Sequence, residues 1–232
     1  MTDVFAILGY GVPKDITTDE NYRTYLSIVF NHIYQESAGK EAVIIPCGGK
    51  TSCVPPFTGT EAGAMISYFR SLVKRPFVKE ATKRWKFIAE DRSISSLENF
   101  VFLSEILVRE KITKGRMTIF CDATRARRMK IVARRVFPKV KCTIVGIDFD
   151  VSHARYIGAE AIAKKEKVAL QESLHVLSSP ELLMEHHQLF EGKLRFLRAR
   201  AKQGVAHPDA VAEWLKHPSK IELVESITKK KK

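Results

Sequence analysis

Five short apolar runs set the strongest limit on how this chain can fold. They lie at residues 4–8, 42–46, 85–89, 117–121 and 142–147, and a stretch of helical periodicity separates each from the next. Apolar runs without polar alternation read as strands buried on both faces, the signature of a parallel sheet covered by helices. Strands that alternate with helices join parallel neighbours through right-handed crossovers. The expectation is an α/β, doubly wound, three-layer Rossmann-like domain with five mainly parallel strands over residues 1–150. After that point the sequence turns Ala- and Lys-rich, and residues 151–232 read as a C-terminal helical extension.

The helical stretches carry their own punctuation. Residues 19–35 place Tyr22, Tyr25, Leu26, Val29, Phe30 and Ile33 at helical spacing, with Thr18 as the N-cap. Thr58 with Glu61, and Ser95 with Glu98, have the spacing of capping boxes. They open a helix ending near Leu72 and a helix over 97–110, whose apolar face is read as Leu97, Phe100, Val101, Leu107 and Val108. A helix over 125–137 follows the fourth run. Further helices are expected over 152–171, from Ser179-Pro180 to Gln203, and from His207-Pro208 past Trp214. The basic segment 74–86 reads as a flexible connection.

The chain has 232 residues, 45% of them hydrophobic, which suffices for one sizeable core. No run of about 18 apolar residues occurs, so no transmembrane helix is expected. The Met-Thr-Asp start lacks the basic and apolar regions of a secretion signal, which points to the cytoplasm. Cys47, Cys53, Cys121 and Cys142 have no paired CxxC spacing and read as reduced thiols rather than zinc ligands. A net charge of +13, spread along the chain, favours an anionic partner without choosing among a small molecule, a nucleic acid and an anionic surface.

In an open α/β sheet, ligands bind beyond the carboxyl ends of the strands. The residues there are therefore the candidates. Gly9-Tyr10-Gly11 follows the first run and lets backbone N–H groups approach an anion; an ordinary turn is the plain alternative. The dinucleotide fingerprint fails, because Pro13 intervenes and no third Gly follows. Gly48-Gly49-Lys50 follows the second run. It is not a P-loop, since Ile44 stands where the first Gly is required. A ligand loop with Lys50 as an anion contact, or a surface turn, both fit. Glu61 is either half of a cap or a carboxylate facing the crevice. Glu90 ends the third run, where a carboxylate can accept from ribose hydroxyls, bind a divalent ion or act as a base; a capping or surface carboxylate is the plain alternative. Ser93, Ser96 and Asn99 are polar groups beyond those a cap requires, at a helix start that favours anions. Asp122 and Thr124 end the fourth run, and Arg127 has the reach to clamp a phosphate or carboxylate. The remaining basic residues of 125–135 read as a solvated face, the best nucleic-acid candidate, though without aromatic stacking partners. No HExxH or GxSxG motif is present, so neither a helical zinc site nor a serine-hydrolase elbow is supported.

Four of these motifs together resemble the SanA/YdcF-like family, a Rossmann-like domain of largely unknown function. They are Leu8-Gly9-x-Gly11, Cys47-Gly48-Gly49, Thr60-Glu61-Ala62, and Glu90-x-x-Ser93-x-Ser95-Ser96-x-Glu98-Asn99. The last is similar to the family's Glu-x-x-Ser-x-Asn-Thr-x-Glu-Asn. The likeness spans roughly residues 4–147. One departure stands out: where the family tends to show Thr-Ser-x-x-His-x-x-Arg, this chain keeps Arg127 but has Thr124 at the His position.

The resemblance implies a small anionic or nucleotide-like ligand at the sheet's carboxyl edge, with S-adenosylmethionine or another nucleoside as the first to try. The ligand-binding set expected from sequence is Gly9, Gly11, Gly48, Gly49, Lys50, Glu61, Glu90, Ser93, Ser96, Asn99, Asp122, Thr124 and Arg127. The alternatives are a hydrolase or transferase of phosphorylated or sugar-linked substrates, with Glu61 or Glu90 as acid or base, and a basic protein that binds nucleic acid or an anionic surface.

Overall fold

The structure is a computed structural model that describes residues 2–9, 18–53, 59–112, 115–149 and 159–216. β1 (Asp3–Leu8) lies at the centre of a five-stranded sheet with β2 (Ala42–Cys47), β3 (Trp85–Phe87), β4 (Arg116–Asp122) and β5 (Lys141–Ile147). The order across the sheet is β3-β2-β1-β4-β5, and every pairing is parallel. Val4 stands opposite Val43 on one side and Met117 on the other. The Rossmann-like, doubly wound α/β fold read from the apolar runs is therefore present.

Strand alternation sorts side chains into two cores. Val4, Ala6, Leu8, Ile45 and Ile119 point to one face and pack with α4 (Ser96–Arg109) and α5 (Ala126–Val136). Phe5, Ile7, Ile44 and Phe120 point to the other and pack with α1 (Glu20–Ser37) and α2 (Glu61–Val73). Each fully buried large side chain contributes about 1.5–3 kcal/mol of transfer free energy, so the two faces supply most of the stabilisation.

Several local expectations are corrected. Asp19, not Thr18, caps α1, accepting from the Tyr22 N–H at 3.1 Å. Thr60 caps α2 by accepting from Gly63 N–H at 3.1 Å, which puts Glu61 at the first helical position instead of the third. Thr58 lies outside the described residues. The segment 74–86 is not a loose connection: Pro76 at N1 starts α3 (Pro76–Thr82), and Trp85 opens β3 with its ring buried. In α4 the inward positions run through Leu103 and Ile106, whereas Val108 is 73% exposed. A 3-10 turn (Ala123–Arg125) precedes α5, because the Asp122 carboxylate accepts from Thr124 N–H at 2.9 Å and holds the turn tight.

The C-terminal part forms α6 (Ala159–Val176), α7 (Pro180–Lys202) and α8 (His207–Lys216). Val176 and Leu183 join the α4–α5 core. Phe196, Leu197, Ala210 and Trp214 make a smaller core between α7 and α8 that also covers Cys53. None of the described helices is long and apolar enough to cross a membrane.

Candidate functional site

The chain order reverses between β1 and β4, which places the switch point of the sheet beyond Leu8 and Asp122. Glu61 leans over this edge. Gly9 and Gly48 form the floor beneath it: a Cβ on either residue would overlap the Glu61 carboxylate. Gly48 also has φ of +146°, a conformation that side chains disfavour. Gly49 is confined differently, since a Cβ there would lie 2.6 Å from the Ser93 carbonyl oxygen and 2.8 Å from that of Asp91. The glycines therefore serve packing.

Their backbone donors are already occupied. Gly9 N–H donates to the Cys47 carbonyl at 3.1 Å, Gly48 N–H to Glu90 at 2.8 Å, and Gly49 N–H to Ser93 at 2.7 Å. The carbonyls of Gly49 and Gly48 in turn accept from Glu61 and Ala62 N–H at the start of α2. These three glycines consequently offer no free N–H group to a ligand. Burial pushes the Glu61 carboxyl up to about 7. Thr51 beside it and Arg125 counter that rise, and Glu90 adds to it; the Thr51 hydroxyl makes no hydrogen bond of normal geometry. A carboxyl that titrates near neutrality can exchange a proton at that pH.

Glu90 is 2% exposed and is held within its own loop. One oxygen accepts from the N–H groups of Arg92 and Ser93, both at 2.9 Å, and the other meets the Ser93 hydroxyl. Ser93 Oγ also meets the Asn99 side-chain amide. One hydroxyl proton serves one acceptor, so an ionised Glu90 requires Asn99 to present its NH₂ to Ser93. Burial raises the Glu90 carboxyl, and the Ser93 and Arg92 hydrogen bonds counter it. Glu90, Ser93 and Asn99 thus form one buried polar chain that shapes the loop against Gly49.

The start of α4 is likewise covered. Ser95 accepts from Glu98 N–H at 3.2 Å, and the Glu98 carboxylate accepts from Ile94 N–H at 2.7 Å. From α7, His186 Nε2 meets Ser95 Oγ at 3.0 Å and His187 Nδ1 meets Glu98 Oε1 at 3.1 Å. Burial, followed by the neighbouring His187, lowers His186 to about 4, so it is neutral near pH 7. Ser96 Oγ accepts from Arg128 Nη1 at 2.9 Å, and Arg128 clamps Glu166 through Nε at 2.6 Å and Nη2 at 3.2 Å.

Gly9, Gly48, Gly49, Glu61, Glu90, Ser93 and Asn99 therefore converge. Asp122 and Thr124 lie at the end of β4, where the Thr124 hydroxyl donates to Asp122 at 2.9 Å. Lys50 is exposed, and its carbonyl, with that of Ser52, accepts from Arg198 of α7. Arg127 is exposed on α5, whereas Arg128 beside it is buried. Gly11 lies outside the described residues. The four cysteines are free. Burial raises all four thiols, Cys121 to about 12 and Cys53 and Cys142 to about 11, which keeps them protonated. Among the described residues no group of three or more His, Cys, Asp or Glu could hold a metal ion.

Three cations absent from the sequence-derived set act electrostatically on groups of this region. Arg125, in the turn after β4, acts electrostatically on Glu61 from across the switch point. Lys165 of α6 and Lys193 of α7 act on each other, and Arg125 acts on Lys165 as well. Lys165 is exposed, and desolvation, then repulsion from Arg125, Lys193 and Arg128, lower its ammonium to about 8. A helical wheel offered one signal: Arg128 sits four residues before Val132 on the buried stripe of α5. Nothing local in the sequence singles out Lys165 or Lys193. No family model, no curated protein and no solved structure matches this chain.

Proposed function

We propose that this chain binds a small anionic, nucleotide-like ligand at the carboxyl edge of its sheet, over the β1–β4 switch point. The observation that carries this reading is the seat of Glu61 on Gly9 and Gly48, over the point where the strand order reverses, with the charge of Arg125, in the turn after β4, acting on it. A guanidinium there suits bidentate contact with an oxyanion, and a carboxylate beside it suits sugar hydroxyls. The motif resemblance to SanA/YdcF-like proteins is consistent with this and keeps S-adenosylmethionine among the ligands to try.

The test is a thermal-shift panel of nucleosides, nucleotides, sugar phosphates and S-adenosylmethionine on the wild type and Arg125→Ala. Specific binding raises Tm with the logarithm of ligand concentration over Kd. A ligand-dependent rise that disappears in Arg125→Ala is expected; equal rises in both proteins refute the site. Binding that collapses with salt and extends to DNA of any sequence would instead favour the exposed basic face of α5, at Arg127, Lys130, Arg134 and Arg135.

A second reading, hydrolysis or group transfer on a phosphorylated or sugar-linked substrate, is favoured by the near-neutral titration of Glu61, which fits general acid–base work. Turnover of a phosphate ester that is lost in Glu61→Gln while binding persists would select it.

A further inference from the structure

We propose that the amino end of the sheet, opposite the candidate site, docks on an anionic lipid bilayer, with Phe77 as the side chain that enters it. α3 leads directly into β3, so it lies where the strands begin. The segment 74–86 carries six basic residues against one acidic residue, Glu80. All six basic residues are exposed. Glu80 pairs with Lys83 and feels the charge of Lys79. Lys86 pairs with Glu110 at 2.6 Å, and Arg84 donates to the Gly39 carbonyl. Lys74 and Arg75 have no ion-pair partner among the described residues. At the same end of the sheet, Arg116 and Lys141 open β4 and β5 as register partners, both exposed, and Arg116 lies 3.7 Å from Asp3.

Phe77 is 94% exposed, more than any other large apolar side chain among the described residues. Its helix is nonetheless firmly seated. Val78 packs on the α1–α2 core, and Thr82, four residues on, is buried and donates to the Val78 carbonyl at 3.0 Å. The Ala81 carbonyl accepts from Gly39 N–H at 2.7 Å. With Val78 and Thr82 held inward, Phe77, about 100° around the helix from Val78, stands outward. A projecting apolar ring ringed by cations matches the layers of an anionic bilayer, with charged headgroups outside and acyl carbon beneath. The long basic side chains keep their charges at headgroup level while the ring goes deeper. A nucleic-acid strand would instead need successive aromatic platforms. Trp85, the next aromatic along, is buried, and its indole N–H donates to the Ser37 carbonyl at 3.3 Å.

The test is co-sedimentation of the full chain with phosphatidylcholine vesicles that contain about 30% phosphatidylserine, against vesicles of phosphatidylcholine alone. Partitioning about tenfold stronger into the anionic vesicles, and weakening as salt rises, is expected. Phe77→Ser should weaken that partitioning about tenfold through lost apolar burial. Lys74→Gln with Arg75→Gln should weaken it about tenfold through lost charge. Both variants should keep the wild-type circular dichroism, because the replaced side chains are exposed and Arg75 makes no capping hydrogen bond. Phe77→Trp should retain binding and add an emission that shifts to the blue on anionic vesicles only. Equal binding to the two kinds of vesicle, or none to either, overturns the proposal. So does vesicle binding that is indifferent to Phe77→Ser but lost in Arg134→Gln with Arg135→Gln on α5. Single-stranded DNA binding that needs Phe77, without vesicle binding, would assign the surface to nucleic acid and overturn it as well.

Discussion

Replacing Glu61 by Gln should stabilise this protein, and by more at pH 8 than at pH 5. Folding raises the Glu61 carboxyl from 4.5 to about 7, chiefly because burial disfavours its charge. The folded chain then binds this proton more tightly than the unfolded chain. The corresponding stability is present in full below pH 4.5 and is lost as pH rises to about 7. Each pKa unit is worth about 1.4 kcal/mol, which sets a ceiling of about 3 kcal/mol for the ionised form. Glu61 keeps some exposure, and relaxation reduces the effect to about 2 kcal/mol. Gln keeps the shape over Gly9 and Gly48 without the charge. For a chain of 232 residues the gain at pH 8 is a Tm rise on the order of 4–8 °C. Thermal or urea melts of both proteins at pH 5, 6, 7 and 8 measure it. A difference that does not change with pH, or that shrinks toward pH 8, would refute the burial of this carboxylate over the glycines.

Gly49→Ala should destabilise by about 2–4 kcal/mol, because the new methyl meets the Asp91 and Ser93 backbone carbonyls; Gly9→Ala should cost less, because only the mobile end of Glu61 must move, and it should abolish the near-neutral carboxyl titration. Denaturant melts and carboxyl-detected NMR distinguish the two, and equal costs would contradict the geometry. Arg128→Ala should cost about 3 kcal/mol in denaturant melts, since Glu166 and Ser96 lose their shared partner inside the fold; a cost under about 0.5 kcal/mol would mean the pair is open to water. Glu90→Ala should cost about 2–3 kcal/mol by leaving the Arg92 and Ser93 N–H groups without acceptors, and amide exchange at those two positions should accelerate selectively.

The sheet was legible in the sequence because its signal is local. Runs such as 42–46 and 117–121 lack polar alternation, and only a sheet covered on both faces accommodates that. The start of α4 was legible for the same reason, through Ser95 and Glu98. The helix at Pro76–Thr82 was not, because its Lys and Arg neighbours mask a single short turn set by Pro76. Glu61 was recognised as a residue of interest, but its place depended on Gly9 and Gly48, which are distant in sequence and act only through the space they leave. Glu90, Ser93 and Ser96 read as surplus polar groups at a helix start. The surplus disappears once Asn99, Arg128 and the backbone of the 91–93 loop are seen to use them. Arg127 and Arg128 are adjacent in the sequence, and only packing separates an exposed arginine from a buried one.

The contact of Arg198 with the carbonyls of Lys50 and Ser52 bears on how the chain matures during synthesis. All five strands leave the ribosome well before α7 does, so the sheet can assemble while the turn after β2 still lacks the guanidinium that holds it and the start of α4 still lacks its two imidazoles. A nascent chain halted at about residue 150 would pair its strands and yet remain open to protease at the glycine turn, and translation of α6 and α7 would convert a folded scaffold into a finished edge.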